Sequence, residues 1–156
     1  MSRTLVTGGA GFIGSHVAEK LVNLGHDVTI LDAMSTGNME NLEAIQSQID
    51  FIDGDLLDPS AVEKAVAGKD YIFHLAANSS VNRSLENPAW SCRQNVLATV
   101  ELIKAAVDEG VKRIIFSSST SVYGYAKDLP VTESHPLQPA SPYAQDKVNC
   151  ENYLRL

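Results

Sequence analysis

Cysteine is scarce. Cys92 and Cys150 are the only two, far apart and without metal-type spacing, which excludes a disulfide framework and a thiolate metal knuckle. Long apolar runs are missing as well. Even Val111 to Phe116 is broken by Lys112 and Arg113, far short of the roughly 18 to 20 residues that cross a bilayer as a helix. Positive charge is in deficit, with 12 Lys and Arg against 19 Asp and Glu, so no broad basic face for nucleic acid or an anionic membrane is expected. An anionic ligand must then be gripped locally. No signal-type stretch precedes Thr4-Leu5-Val6, and a soluble protein of the reducing cytoplasm is expected. The 44% hydrophobic content suits one compact domain over residues 1–156 with a core, rather than two domains.

Short β-branched or apolar runs recur at Thr4 to Thr7, Val28 to Leu31, Phe51-Ile52, Tyr71 to Leu75 and Ile114 to Phe116, and predict five buried strands. Between them stand stretches of helical spacing: Ile13, Val17 and Leu21; Val62 and Val66; then Val96, Val100, Ile103 and Val107 in one long helix from about Pro88. Pro59 and Pro88 fit first helical turns, and Gly25, Gly68 and Gly110 fit helix ends. The alternation argues for an α/β fold: a doubly wound parallel sheet of about five strands, order 3-2-1-4-5, with helices on both faces. The proline-rich stretch Gly124 to Pro142 reads as a loop across the sheet's carboxyl edge, and Ser141-Pro142 opens a last helix.

The first strand runs directly into Thr7-Gly8-Gly9-Ala10-Gly11-Phe12-Ile13-Gly14. Glycines there permit a tight turn and close backbone approach to a diphosphate, and the following helix start supplies unpaired N–H donors. Two registers fit, Gly9-x-Gly11-x-x-Gly14 and Gly8-x-x-Gly11-x-x-Gly14, so the motif alone does not choose between dinucleotide-binding families. Asp32 ends the second strand eighteen positions after Gly14, where a carboxylate accepts hydrogen bonds from adenosine ribose hydroxyls. That carboxylate would repel a 2′-phosphate, and Ala33 to Gly37 offers no Arg or Lys to receive one, so NAD is expected over NADP. Asp55, at the third strand's end, serves either the adenine amino group or ordinary turn chemistry.

Tyr143-Ala144-Gln145-Asp146-Lys147 places a phenol and an ammonium four residues apart, on one face of a helix. A nearby cation favours the ionised phenol, the condition for a base near neutral pH. With the glycine turn, Gly54-Asp55-Leu56, His74-Leu75-Ala76-Ala77, Asn95-Val96, Ser117 to Gly124 and Ser141-Pro142-Tyr143-x-x-x-Lys147, the whole chain resembles the extended short-chain dehydrogenase/reductase family, with a Rossmann fold. Within it the likeness extends to UDP-sugar 4-epimerases through Asp32-x-x-Ser35-Thr36-Gly37 and Asn41-Leu42.

The resemblance implies NAD-dependent epimerisation at C4 of a nucleotide sugar of the UDP-glucose or UDP-galactose type. It implies Tyr143 as base, Lys147 on the nicotinamide ribose, and Ser119 on the sugar hydroxyl. It implies a cofactor set of Gly8, Gly11, Phe12, Ile13, Gly14, Asp32, Asp55, Leu56, Ala76, Ala77, Asn95, Ser117, Tyr143 and Lys147, with Ser84 and Ser119 toward substrate. Nucleotide-sugar dehydratases of the family carry an acidic pair after the catalytic hydroxyl. Thr120-Ser121 stand there instead, which disfavours dehydration. Asp146, where relatives have a small or neutral residue, is expected to weaken the charge of Lys147.

Relatives continue beyond these residues, so the C-terminal strands and substrate region are expected to lie outside them and turnover to be impaired. The competing expectations are an NAD-binding module without turnover, and a decarboxylase or reductase of the same family. The resemblance also implies a homodimer through the helices at 88–109 and 142–156. His16, His26, His74 and His135 share no ligand spacing, and no metal is expected; the cysteines are read as buried or half-buried, and Trp90 as a packing anchor.

Overall fold

The computed structural model describes residues 1–126 and 129–156. Lys127 and Asp128, inside the predicted loop from Gly124 to Pro142, lie outside the described residues. Contacts divide the chain into two compact units, Met1–Ala77 with Glu101–Ser117, and Asn78–Val100 with Ser118–Leu156.

The first unit is built on five parallel strands: β1 (Arg3–Thr7), β2 (Asp27–Asp32), β3 (Ile49–Asp53), β4 (Tyr71–His74) and β5 (Arg113–Phe116). Their order is β3-β2-β1-β4-β5, as the alternation of strand and helix predicts. Register sets Thr7 abreast of Leu31 and His74, and Asp32 abreast of Asp53, so the segments that follow the strands emerge along one edge. Helices α1 (Phe12–Asn23) and α2 (Pro59–Val66) cover the sheet. Val28 and Ile30 of β2 share a core with Ala18 and Leu21 of α1. Leu31 points the other way: a Cβ on Gly54 would stand 3.2 Å from its Cδ1 and 2.8 Å from Ala61 of α2. Alternate residues of a strand face opposite sides, so both faces of β2 are covered. Each of the fully buried Leu5, Ile30, Leu31 and Ile72 contributes about 1.5–3 kcal/mol of transfer free energy.

Not all five strands are buried as expected. β3 and β5 are the ends of the sheet and mix half-buried with exposed positions, leaving Ile115 40% exposed. An outermost strand has a neighbour on one side only.

The second unit is helical: α3 (Val81–Glu86), α4 (Pro88–Cys92), a π-helical turn (Arg93–Leu97) and α6 (Pro142–Arg155); the π turn leads into α5 (Ala98–Asp108), which belongs to the first unit from Glu101 onward. The single long helix expected from Pro88 is thus interrupted by the π turn, and α3 stands as a separate helix before it. Ser80, Asn87 and Ser141 each cap a helix start with a side-chain oxygen, and Ser119 does so for the 3-10 turn Thr120–Tyr123. α3, α4, the π turn and the Thr120–Tyr123 turn all pack on α6. Among the described residues no helix is long and apolar enough to cross a membrane.

Candidate functional site

In the first unit the glycine turn begins where β1 ends. Gly8 takes the left-handed region at φ +70°, which costs a side-chain-bearing residue about 1–2 kcal/mol, and its N–H donates to the Leu31 carbonyl at 2.9 Å. A Cβ on Gly8 would meet the Ala76 amide nitrogen at 2.7 Å, and one on Gly14 would collide with the Gly8 carbonyl oxygen. The turn's tightness therefore rests on Gly8 and Gly14, while Gly9 lies over the Ile30 side chain. The first intrahelical bond of α1 runs from the Ser15 N–H to the Gly11 carbonyl. The amides of Phe12, Ile13 and Gly14 have no intrahelical partner, at a helix start that no side chain caps and that has no acidic residue in its first turn. Phe12 and Ile13 are 78% and 60% exposed there. A turn of this kind can hold an anion.

Asp32 is buried beside it. One carboxylate oxygen accepts the Ala10 N–H and the other the Met34 N–H, both at 2.9 Å. Each oxygen retains a lone pair, so the group can accept two further bonds. Gly37 closes in on this carboxylate, where a Cβ would stand 3.1 Å from Asp32 Oδ1. Two residues that sequence reasoning gave no role complete the arrangement: the Asn41 side chain and the Asn38 N–H both donate to the Ala10 carbonyl, at 2.8 and 3.0 Å. Asn41 carried a signal only through the Asn41-Leu42 likeness, and Asn38 carried none.

The third strand's end abuts Asp32, since the Gly54 N–H donates to the Asp32 carbonyl at 3.0 Å. Asp55 there is exposed and accepts the Leu57 N–H at 2.9 Å, a bond of the turn chemistry that was one of its two expected roles, while Leu56 is buried. On the other side, Thr7 Oγ1 pairs with His74 Nδ1 at 2.7 Å and accepts the Ala76 N–H at 3.3 Å. Ala76 is half-buried and Ala77 exposed. Ser117 follows β5, its N–H on the His74 carbonyl at 3.1 Å. The structure thus gathers the predicted glycines with Asp32, Asp55, Leu56, Ala76, Ala77 and Ser117 in one unit.

The other predicted residues lie in the second unit. Tyr143 and Lys147, one turn apart on α6, are 7% and 3% exposed, and Lys147 Nζ stands 6.0 Å from the phenol ring centroid. Burial pulls the Lys147 pKa below its ordinary value, and the opposing influences of Cys150 and Asp146 are smaller. Ser119 accepts the Ser121 N–H at 3.2 Å, which leaves its O–H able to donate outward. Its neighbour Ser118 donates to Glu151 of α6 at 2.6 Å, a tether that nothing in the sequence announces. Asn95 sits in the π turn, 4% exposed, bonded through its amide to both N–H and C=O of Asn78.

Three expectations need correction. Ser84, expected toward substrate, has no exposure; its hydroxyl donates to the Val81 carbonyl at 2.6 Å and accepts the Tyr143 N–H at 3.1 Å, so it holds the start of α6 from inside. The Asp146 carboxylate, expected to weaken Lys147, bonds to Ser91 and Asn95 of the neighbouring helical stretch, so its influence on Lys147 is present but smaller than that of burial. Adjacent residues on a helix do not face each other. Cys92 is exposed rather than buried, whereas Cys150 is buried as expected. Trp90 is half-buried, with the Arg83 guanidinium 3.7 Å over its ring.

The family described as GDP-mannose 4,6 dehydratase matches residues 5–155. The UDP-glucose 4-epimerase of Mycolicibacterium smegmatis is 42% identical over 99% of this chain and 50% of its own. The chain spans about half the length of the curated relatives it matches. Among solved structures, the UDP-N-acetylglucosamine 4-epimerase of Methanobrevibacter ruminantium M1, in complex with UDP-N-acetylmuramic acid, superposes with a TM-score of 0.92 at 42% identity, covering 99% of this chain and 49% of that one. The UDP-glucose 4-epimerase of Bifidobacterium longum, solved with NAD and UDP, gives 0.91 at 36% identity over 99% and 48%. DesIV of Streptomyces venezuelae, a dTDP-glucose 4,6-dehydratase solved with NAD, gives 0.90 at 38% identity over 97% and 50%.

Proposed function

The chain belongs to the GDP-mannose 4,6 dehydratase family, and from that premise we propose that it binds NAD and serves epimerisation at C4 of a UDP-hexose. The observation that carries the reading is the Asp32 carboxylate, buried, tied to the Ala10 amide and standing at the uncapped start of α1. The residues fit the dinucleotide. Amides without an intrahelical partner at a helix N-terminus match a diphosphate, and a carboxylate with lone pairs to spare matches the two hydroxyls of an adenosine ribose. A 2′-phosphate would bring its negative charge to that buried carboxylate, so NAD is favoured over NADP.

In this reading Asp55 and Leu56 border the adenine, and Ala76, Ala77, Asn95 and Ser117 line the remainder of the cofactor path. NAD, when bound, supplies a reversible hydride acceptor. The chain's own residues manage the proton. Tyr143 takes it from the sugar's 4-hydroxyl and returns it, Ser119 donates a hydrogen bond to the same oxygen, and Lys147 provides a cation beside the phenol and a donor to the nicotinamide ribose. Thr120 and Ser121 offer no carboxylic acid at the positions where the dehydratases carry one, which supports epimerisation over elimination of water.

Calorimetric titration with NAD and NADP, together with a coupled assay on UDP-galactose and UDP-glucose, tests the proposal. NAD binding with conversion of either sugar supports it whole. NAD binding without conversion leaves a dinucleotide-binding module, net NADH or CO2 production indicates a reductase or decarboxylase, and no saturable heat with NAD ends the reading.

A further inference from the structure

α6 carries two adjacent charged residues that are both buried, Asp146 at 4% and Lys147 at 3% exposure. Burying a carboxylate costs several kcal/mol unless it is hydrogen-bonded. Asp146 Oδ2 accepts the Ser91 hydroxyl at 2.6 Å, a short charge-assisted bond, and the Asn95 amide at 3.3 Å. Asn95 also reaches Ser91 Oγ at 3.4 Å and is itself fixed on Asn78. One turn further along α6, the single S–H of Cys150 is shared between the Asn95 carbonyl at 3.6 Å and Thr99 Oγ1 at 3.4 Å. The same face of α6 is therefore bonded to the Pro88–Leu97 stretch at two successive turns, and the stronger of the two attachments is the carboxylate.

We propose that Asp146 is a positioning residue: its bond to Ser91 fixes the rotation and depth of α6, and so fixes where Tyr143 and Lys147 project. The inference rests on the proposed epimerase reading for its catalytic consequence but not for its structural one. A helix turned about its axis by a few degrees carries a side-chain tip by ~1 Å, and such a misplacement costs on the order of 100-fold in rate. The carboxylate acts here as the hydrogen-bond acceptor that holds Ser91 and Asn95, a role an amide oxygen can also fill.

The test uses Asp146→Ala, Asp146→Asn and Ser91→Ala in the full chain. Lys147 is labelled with an amine-reactive reagent at neutral pH and quantified by peptide mass spectrometry against Lys104, whose side chain is 71% exposed. Asp146→Ala should raise the Lys147-to-Lys104 ratio about fivefold and Ser91→Ala about twofold, as loss of roughly 0.5–1 kcal/mol of local stability would. Asp146→Asn, whose amide oxygen still accepts from Ser91, should stay near the parent ratio. Where NAD binds and UDP-hexose turns over, Asp146→Ala should lower kcat on the order of 10- to 100-fold with KM nearly unchanged. An unaltered ratio in folded Asp146→Ala overturns the proposal, and so does an Asp146→Asn ratio as high as that of the alanine variant, which would assign the effect to charge. Should Asp146→Ala not fold, an unaltered ratio in Ser91→Ala overturns it equally. Absence of NAD binding by the parent chain would refute the epimerase reading while leaving the labelling result to stand.

Discussion

Replacing Ser84 by alanine separates two roles that the sequence alone does not distinguish. Tyr143 is the second residue of α6, and a helix supplies no internal partner for an N–H in its first turn. The Ser84 hydroxyl is that partner, at 3.1 Å, in a position without solvent exposure. Removing it leaves a buried donor unsatisfied, which costs about 1–3 kcal/mol. The lost bond to the Val81 carbonyl adds little, because that oxygen already lies within a helix. For a chain of this length each kcal/mol moves Tm by roughly 2–4 °C, so Ser84→Ala should melt about 2–12 °C below the parent. Thermal unfolding followed by circular dichroism measures the shift, and KM for UDP-hexose, taken well below the transition, should change by less than about twofold. An unshifted Tm with a KM raised severalfold would refute the reasoning and return Ser84 to the substrate-contacting role first expected of it.

Asp32→Asn keeps one acceptor but removes the charge, so the Kd for NAD should rise about 10-fold or more while NADP binding changes less, narrowing the gap between them in calorimetry. Tyr143→Phe should lower kcat on the order of 100- to 10,000-fold in the epimerase assay and leave NAD affinity within about threefold. Asp70 accepts the Arg3 N–H at 2.8 Å and the Lys112 ammonium at 2.9 Å, which together hold its pKa at about 2 rather than 3.8. A carboxylate depressed in the folded state stabilises the fold above its unfolded pKa and loses that contribution as pH falls through the folded one. Asp70→Asn should therefore lower Tm at pH 6, and the difference from the parent should fade as pH falls from about 4 toward 2; a gap independent of pH would contradict this.

The parallel sheet was legible because β1 and β2 are buried along nearly their whole length and carry β-branched and apolar residues on both faces, and the doubly wound arrangement then sets the strand order. The glycine turn and Asp32 were legible because spacing in a βα unit is fixed by the unit itself. Other features depended on partners remote in the chain. Ser84 reads as a surface hydroxyl until Tyr143, 59 positions away, is seen to need it. The π turn at Arg93–Leu97 adds a residue to one helical turn without disturbing the composition, so the face predicted from Val96 through Val100, Ile103 and Val107 is not the one buried beyond it: Leu102 and Ala106 are buried and Val107 is 72% exposed. The exposure of β5 follows from its place at the end of the sheet, which no local pattern marks. Asp146 is a different case. Its position next to Lys147 invited a charge argument, yet helix geometry alone separates neighbouring side chains by about 100°, and that was readable from the start.

The Ala10 N–H answers to Asp32, and the Ala10 carbonyl, one peptide plane further on, answers to Asn38 and Asn41, so under the proposed reading the adenosine ribose and the diphosphate of NAD both bear on one residue. Engineering a switch of coenzyme preference by mutating Asp32 alone would loosen Ala10 and so weaken the grip on phosphate as well. A successful redesign must give the Ala10 amide a new acceptor before it gives the ribose a new neighbour.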